Sequence, residues 1–128
     1  MTRVITPQKM NQQFAHSFNL REVDALLALY EPDALLQADA AGPVHQGLQD
    51  IRSVLAGLLT LPGRMRSINN FCLDLGDLAL LRADWDITLD NGEVIALGSS
   101  AELVRRQPDG HWLYAIDHAV GASVARVI

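Results

Sequence analysis

The chain has 128 residues, 49% of them hydrophobic and 20% charged, a balance that fits one folded domain spanning 1–128 and excludes a disordered or fibrous chain. Its formal charge of -5 opposes phosphate backbones and anionic headgroups, so neither nucleic acid nor a membrane is expected as a partner. The single cysteine, Cys72, allows no internal disulfide and gives too few thiolates for a Cys-based zinc site.

The first residues break at Thr6-Pro7 before any apolar signal region develops, and no later apolar run reaches the roughly 20 residues of a membrane span, so a reducing, cytoplasmic setting is expected. Thr6 as N-cap and Pro7 at the first helical position predict a helix starting at Pro7, with Met10, Phe14 and Phe18 as its buried stripe and Gln12, Gln13 and Ser17 facing elsewhere. Asn19 with Glu22 resembles a capping box, and Val23, Leu26, Leu27 and Tyr30 continue a second helix until Pro32. A short strand follows from Ala34 to Asp39, and Ala41-Gly42-Pro43 turns the chain toward an extended piece at Val44 to Gln46. Leu48, Ile51, Leu55, Leu58 and Leu59 mark the apolar face of a third helix, ended by Leu61-Pro62-Gly63.

From Ser67 the period changes to two. Gly76-Asp77, Asp90-Asn91-Gly92 and Pro108-Asp109-Gly110 separate four extended runs, which predict an antiparallel meander whose long members bend, Gly98 being the natural bend point. The expected architecture is α+β, with three N-terminal helices packed on a strongly curved antiparallel sheet to form a cone with an internal pocket.

That order resembles the ketosteroid-isomerase-like and SnoaL-like superfamily. The likeness is carried by Phe14 to Asn19, Leu29-Tyr30-Glu31-Pro32-Asp33-Ala34, Gly42 and Gly47 before Ile51, Gly76-Asp77-Leu78-Ala79-Leu80, and Arg105-Arg106-Gln107-Pro108-Asp109-Gly110-His111-Trp112. It implies a fold, while leaving isomerases, cyclases, dehydratases and non-catalytic modules all open. The resemblance places Phe14 where the steroid isomerases carry a donor tyrosine. It places Ala38 at the base position, with Asp39 one residue away, and the pair Ala101 and Glu102 near the protonated acid. Steroid isomerisation by that mechanism is therefore not expected.

Alternation puts Ala79, Leu81, Ala83, Trp85 and Ile87 on the inner face of one long strand. A three-residue turn at Asp90-Asn91-Gly92 pairs Trp85 with Leu97, Ala83 with Ser99 and Leu81 with Ala101; a two-residue turn would instead set Glu102 against the core, and the first register is preferred. The same turn at Pro108-Asp109-Gly110 points Asp117 inward and Trp112, Tyr114, Ile116 and His118 outward. Those four are then expected to form the interface of a homodimer. The expected pocket lining is Phe14, Tyr30, Asp39, Trp85, Leu97, Ser99, Ala101 and Ala115. His16, His45 and His111 share no ligand spacing, so no metal and no cofactor is expected.

Two readings stand for the chain. In the first, the pocket takes a small apolar molecule, cyclic or carbonyl-bearing, and Asp117 moves a proton, as the likeness to the SnoaL-like cyclases implies for an aspartate in this region. In the second, Asp117 is structural and the domain is a non-catalytic dimerisation or ligand-sensing module.

Overall fold

The computed structural model describes residues 3–124. A single 3-10 turn, Pro7–Lys9, leads into α1 (Met10–Asn19); α2 (Val23–Leu27) and α3 (Leu48–Leu58) complete the helices. The strands are β1 (Tyr30–Gln37), β2 (His45–Gln46), β3 (Arg64–Asp74), β4 (Leu78–Thr88), β5 (Val94–Ser99), β6 (Ala101–Arg106) and β7 (Trp112–His118). They form one sheet ordered β2-β1-β7-β6-β4-β3, with β5 also paired to β4. Among the described residues no helix is long and apolar enough to cross a membrane.

The helices lie over one face of the curled sheet, and Met10, Phe18, Leu26, Ile51 and Leu55 are fully buried against Leu81, Ile87, Val104 and Tyr114. The sheet is mixed, since β1 pairs with β7 in parallel while the other pairings are antiparallel. The second helix is shorter than the sequence pattern suggests, and Tyr30 opens β1 instead of closing α2. Asn19 does not cap that helix. Its side chain bonds both backbone groups of Met65, at 2.8 and 3.0 Å, and so ties α1 to β3. Pro32 is tolerated inside β1 because the β1–β7 register is interrupted between Tyr30 and Leu35, so its missing N–H leaves no ladder bond unmade.

Both long hairpins turn as the sequence indicates. Leu89 N–H bonds to Glu93 O at 2.8 Å and Gly92 has φ 90, while Gln107 N–H bonds to His111 O at 2.7 Å and Gly110 has φ 92. Each hairpin then takes on one extra residue. Thr88 pairs with Val94 but Ile87 pairs with Ala96, leaving Ile95 as a bulge. Val104 pairs with Tyr114 but Leu103 pairs with Ile116, leaving Ala115 as a bulge.

Because side chains alternate with period two, each bulge reverses the parity of everything beyond it. Trp85 consequently sits opposite Gly98, and Leu81 opposite Glu102, in place of the expected Leu97 and Ala101. Trp112 and Tyr114 turn inward and are buried, correcting their expected outward position, whereas Ile116 and His118 beyond the bulge do face out. Asp117 points inward as expected, now opposite Glu102.

The break between β5 and β6 falls at Ser100, whose N–H bonds to Ala83 O at 2.8 Å, and not at Gly98. Gly98 serves close packing. A Cβ there would lie 2.9 Å from Val120 Cγ1 and 3.1 Å from the Trp85 ring. On the outer face, Leu73, Leu80, Leu103, Ile116 and Leu35 are successive cross-strand partners, giving an apolar row across five strands. Leu73 is 64% exposed, Leu80 43% and Ile116 44%.

Gly98→Ala should lower stability by about 1–3 kcal/mol through overpacking against Trp85 and Val120. Adding Val120→Ala should restore part of the loss in thermal unfolding, and equal stability of Gly98→Ala and the parent would contradict the contact.

Candidate functional site

The helices and the curled sheet line an open cavity of about 510 Å³ between α1, α3 and the inner face of the sheet. Its walls are largely apolar, with Phe14, Leu36, Val54, Leu55, Leu58 and Met65 on the helix side and Trp85, Ala96 and Val120 toward the mouth. Among the polar groups that reach the cavity, Asn11, Tyr30, Glu102, Tyr114 and Asp117 are linked to one another by hydrogen bonds and by the β6–β7 pairing.

Glu102 and Asp117 face each other from neighbouring strands, and both are buried. Burial, and then the charge of Asp117, push the Glu102 carboxyl up to about 8. Burial also pushes Asp117 up to about 6, against the opposing pull of a hydrogen bond from Tyr30. The two carboxyls therefore titrate as a pair, both above the ordinary carboxylate range, and share a proton near neutral pH.

Tyr30 donates its hydroxyl to Asp117 Oδ2 at 2.5 Å. Tyr114 donates to Asn11 Oδ1 at 2.6 Å, and Asn11 Nδ2 donates to Glu102 Oε1 at 3.0 Å. Both phenols are held well above their ordinary range by burial and by the Asp117 charge, so they remain donors. Their rings are 5.0 Å apart, and Phe14 meets Tyr114 edge-on at 6.2 Å. Among the described residues the cavity lining includes no Lys, Arg or His.

Of the expected lining, Phe14, Tyr30, Asp39, Trp85 and Leu97 do reach the cavity. Asp39 is an exposed group at its edge, while Ala38 beside it lines the wall. The Trp85 indole N–H bonds to Ala119 O at 2.6 Å, holding the segment after β7 against the cavity. Three expected residues are absent from the lining. Ser99 is turned to the outer surface, where its hydroxyl bonds to Asp84 at 2.7 Å; Ala101 faces out by parity; and Ala115 is taken up in the bulge.

Glu102, Tyr114 and Asn11 are the residues that sequence reasoning left out of the site. The signal for Asn11 was present, since Asn11, Phe14, Ala15 and Phe18 fall on one helical face by the i, i+3, i+4, i+7 rule.

The comparisons agree with this geometry at the level of fold. The SnoaL-like domain model matches residues 11–115. A ketosteroid isomerase-like protein from Erwinia carotovora atroseptica is 21% identical, with 90% of this chain and 91% of that one covered at a TM-score of 0.74. A domain of unknown function with a cystatin-like fold from Nostoc punctiforme is 16% identical, with coverage of 88% and 73% and a TM-score of 0.75. An NTF2-like protein of unknown function from Shewanella oneidensis is 16% identical, with coverage of 86% and 92% and a TM-score of 0.71. No curated protein matches the sequence. These likenesses lie below the identity at which a structural neighbour's chemistry transfers, and they support the fold alone. With the domain model covering most of its length, from the first helix to the last strand, the chain belongs to the SnoaL-like domain family.

Proposed function

We propose that the protein binds an uncharged, apolar, cyclic compound bearing a carbonyl group and shifts a proton on it, with Asp117 as base and Glu102 as acid. The observation that carries this reading is the carboxyl pair itself. Two acids displaced unequally from their ordinary range face one apolar cavity, and such a split is how one site supplies a base and an acid at the same pH.

Asp117 Oδ1 is the oxygen left after Tyr30 has engaged Oδ2, and it takes the proton from the carbon next to the carbonyl. The C–H electron pair moves into the enolate, whose oxygen is stabilised by the hydrogen on Glu102. Return of the same proton from Asp117 to another carbon completes an isomerisation, with no redox change. The base thus comes from β7 and not from the position of Ala38, and Phe14 contributes only an apolar wall.

A purely dimerising module with a vestigial cavity would have Phe14, Trp85 and Leu97 fill it, and the open volume of about 510 Å³ speaks against that. A ligand-sensing module would share the open cavity, and proton exchange on a bound ketone separates it from an enzyme. A second copy of the chain is the proposed occupant of the outer apolar row of Leu73, Leu80, Leu103 and Ile116, taking the role first expected of Trp112 and Tyr114.

With 2-tetralone in deuterated buffer, the protein should accelerate hydrogen exchange next to the carbonyl, and Asp117→Asn should reduce that rate by about 10²–10⁴-fold. Unchanged exchange in the variant would overturn the assignment of the base.

The same pair sets a stability profile. Both folded values exceed the unfolded ones of about 4, so the folded state holds more protons between about pH 4 and the Glu102 value of about 8. Stability is full on the acid side of that window and falls as pH rises through it. Asp117→Asn should raise stability at pH 8 by roughly 1–3 kcal/mol, with the gain vanishing near pH 4 in thermal unfolding. A gain that is equal at both ends would contradict the raised carboxyl.

Sedimentation should give a dimer at micromolar concentration, and Leu80→Glu should shift it toward monomer, because a charge is then buried in the paired face. A monomeric parent would exclude that use of the face.

A further inference from the structure

The carboxyl pair lies at one end of a longer chain of hydrogen bonds, and at the other end is a backbone carbonyl. Asn69 Nδ2 donates to Gln8 O at 2.8 Å. A carbonyl has no hydrogen to give, so this bond fixes the Asn69 amide with Nδ2 toward Gln8 and Oδ1 toward α1. Asn69 Oδ1 then accepts from Asn11 Nδ2 at 3.0 Å, which fixes the Asn11 amide in turn. The second Asn11 Nδ2 hydrogen goes to Glu102 Oε1 at 3.0 Å, and Asn11 Oδ1 accepts the Tyr114 hydroxyl at 2.6 Å. Each link has one permitted direction, set by the link before it.

We infer that Asn11 and Asn69 are positioning residues that keep the Glu102 proton on Oε2, so that this acid offers the cavity a hydrogen-bond donor and selects a ligand with an acceptor oxygen at that point. The inference rests on Glu102 being the acid of the proposed reaction.

Glu102 Oε1 decides where that proton sits. That oxygen accepts the Asn11 N–H, and in a carboxylic acid the carbonyl oxygen is a better acceptor than the hydroxyl oxygen, so the bond favours Oε1 as the carbonyl and Oε2 as the protonated oxygen. Were the Asn11 amide reversed, its Oδ1 would meet Asn69 Oδ1 with no hydrogen between them. It would also draw the Glu102 proton to Oε1, turning the donor away from the cavity. The other groups facing Glu102 are Ser100, whose hydroxyl also bonds to its carboxyl, Asp117 and Tyr114 on β7, and Tyr30 on β1. The Ser100 hydroxyl can rotate to give or accept a hydrogen and so follows the acid, and none of these groups is a cation that could hold it in either state. The direction of the Asn11 amide therefore decides whether the cavity meets a donor or an acceptor. Asn11 is buried on α1 with both ends of its amide engaged, which holds that direction.

The test compares two isosteric changes that the inference separates. Asn69→Asp still accepts from Asn11 Nδ2 and preserves the direction, whereas Asn11→Asp cannot donate, so Glu102 must give its proton to the new carboxyl. The probe is 2-acetylnaphthalene, an uncharged ketone, whose C=O stretch falls when it accepts a hydrogen bond. In the parent and in Asn69→Asp the bound stretch should lie below its value in hexane. In Asn11→Asp it should return toward that value, with binding about tenfold weaker.

A purely structural role for the two amides would affect both variants alike, and that outcome overturns the inference, as does an unshifted stretch in the parent. Neutron diffraction of the deuterated parent supplies a check that no variant's folding can compromise. Deuterium on Glu102 Oε2 supports the inference, and deuterium on Oε1 overturns it. Loss of Asp117-dependent exchange on 2-tetralone, by contrast, would strike the proton-transfer reading itself, independently of where the Glu102 hydrogen sits.

Discussion

The placement of the two acids depends on parity in the sheet. Ile95 and Ala115 are each one residue too many for the ladder they sit in, and each moves the following side chains to the opposite face. Without the Ile95 bulge, Ala101 would face the cavity and Glu102 the solvent. The Ala115 bulge lets Tyr114 and Asp117, three residues apart, both point inward. Two insertions of one residue thereby convert an apolar strand crossing into a facing pair of acids.

Once both acids are inside, the low polarity of the cavity governs their behaviour. Each is costly to ionise there, and the charge of one makes the other harder to ionise. The arrangement is tolerated because the polar atoms are partnered, Asp117 by Tyr30 and Glu102 by Asn11, and because one shared proton removes half the charge. Among the described residues no buried side-chain nitrogen or oxygen lacks a hydrogen-bond partner. The helices contribute by supplying Asn11 at the floor and an apolar wall from Phe14 to Leu58, which keeps the pair away from water.

Much of this was legible in the residues. The glycine turns, the inner face from Ala79 to Ile87 and the apolar faces of α1 and α3 follow from periodicity and turn chemistry, whereas Asp117 was read as inward from a register paired to Ala101 and lies inward because the two bulges offset each other. The two bulges do not, because Ile95 and Ala115 have ordinary strand side chains and carry no glycine or proline to mark the extra residue. Missing them also hid Glu102. The register that buries it was set aside on the ground that a carboxylate is expensive in a core, an argument that holds for the ionised group but not for an acid that keeps its proton. Tyr30 was assigned to a helix because its spacing from Val23 fits one, and only pairing with β7 reveals it as the opening residue of a strand.

The central claim is that Glu102 and Asp117 are displaced together and unequally. Following the side-chain carboxyl carbons of both residues by NMR as the pH is raised tests it directly. The account predicts that both midpoints lie above the ordinary carboxylate range, that Glu102 is the higher, and that each curve carries an inflection from the titration of the other. A midpoint at or below the ordinary value for either residue would contradict it.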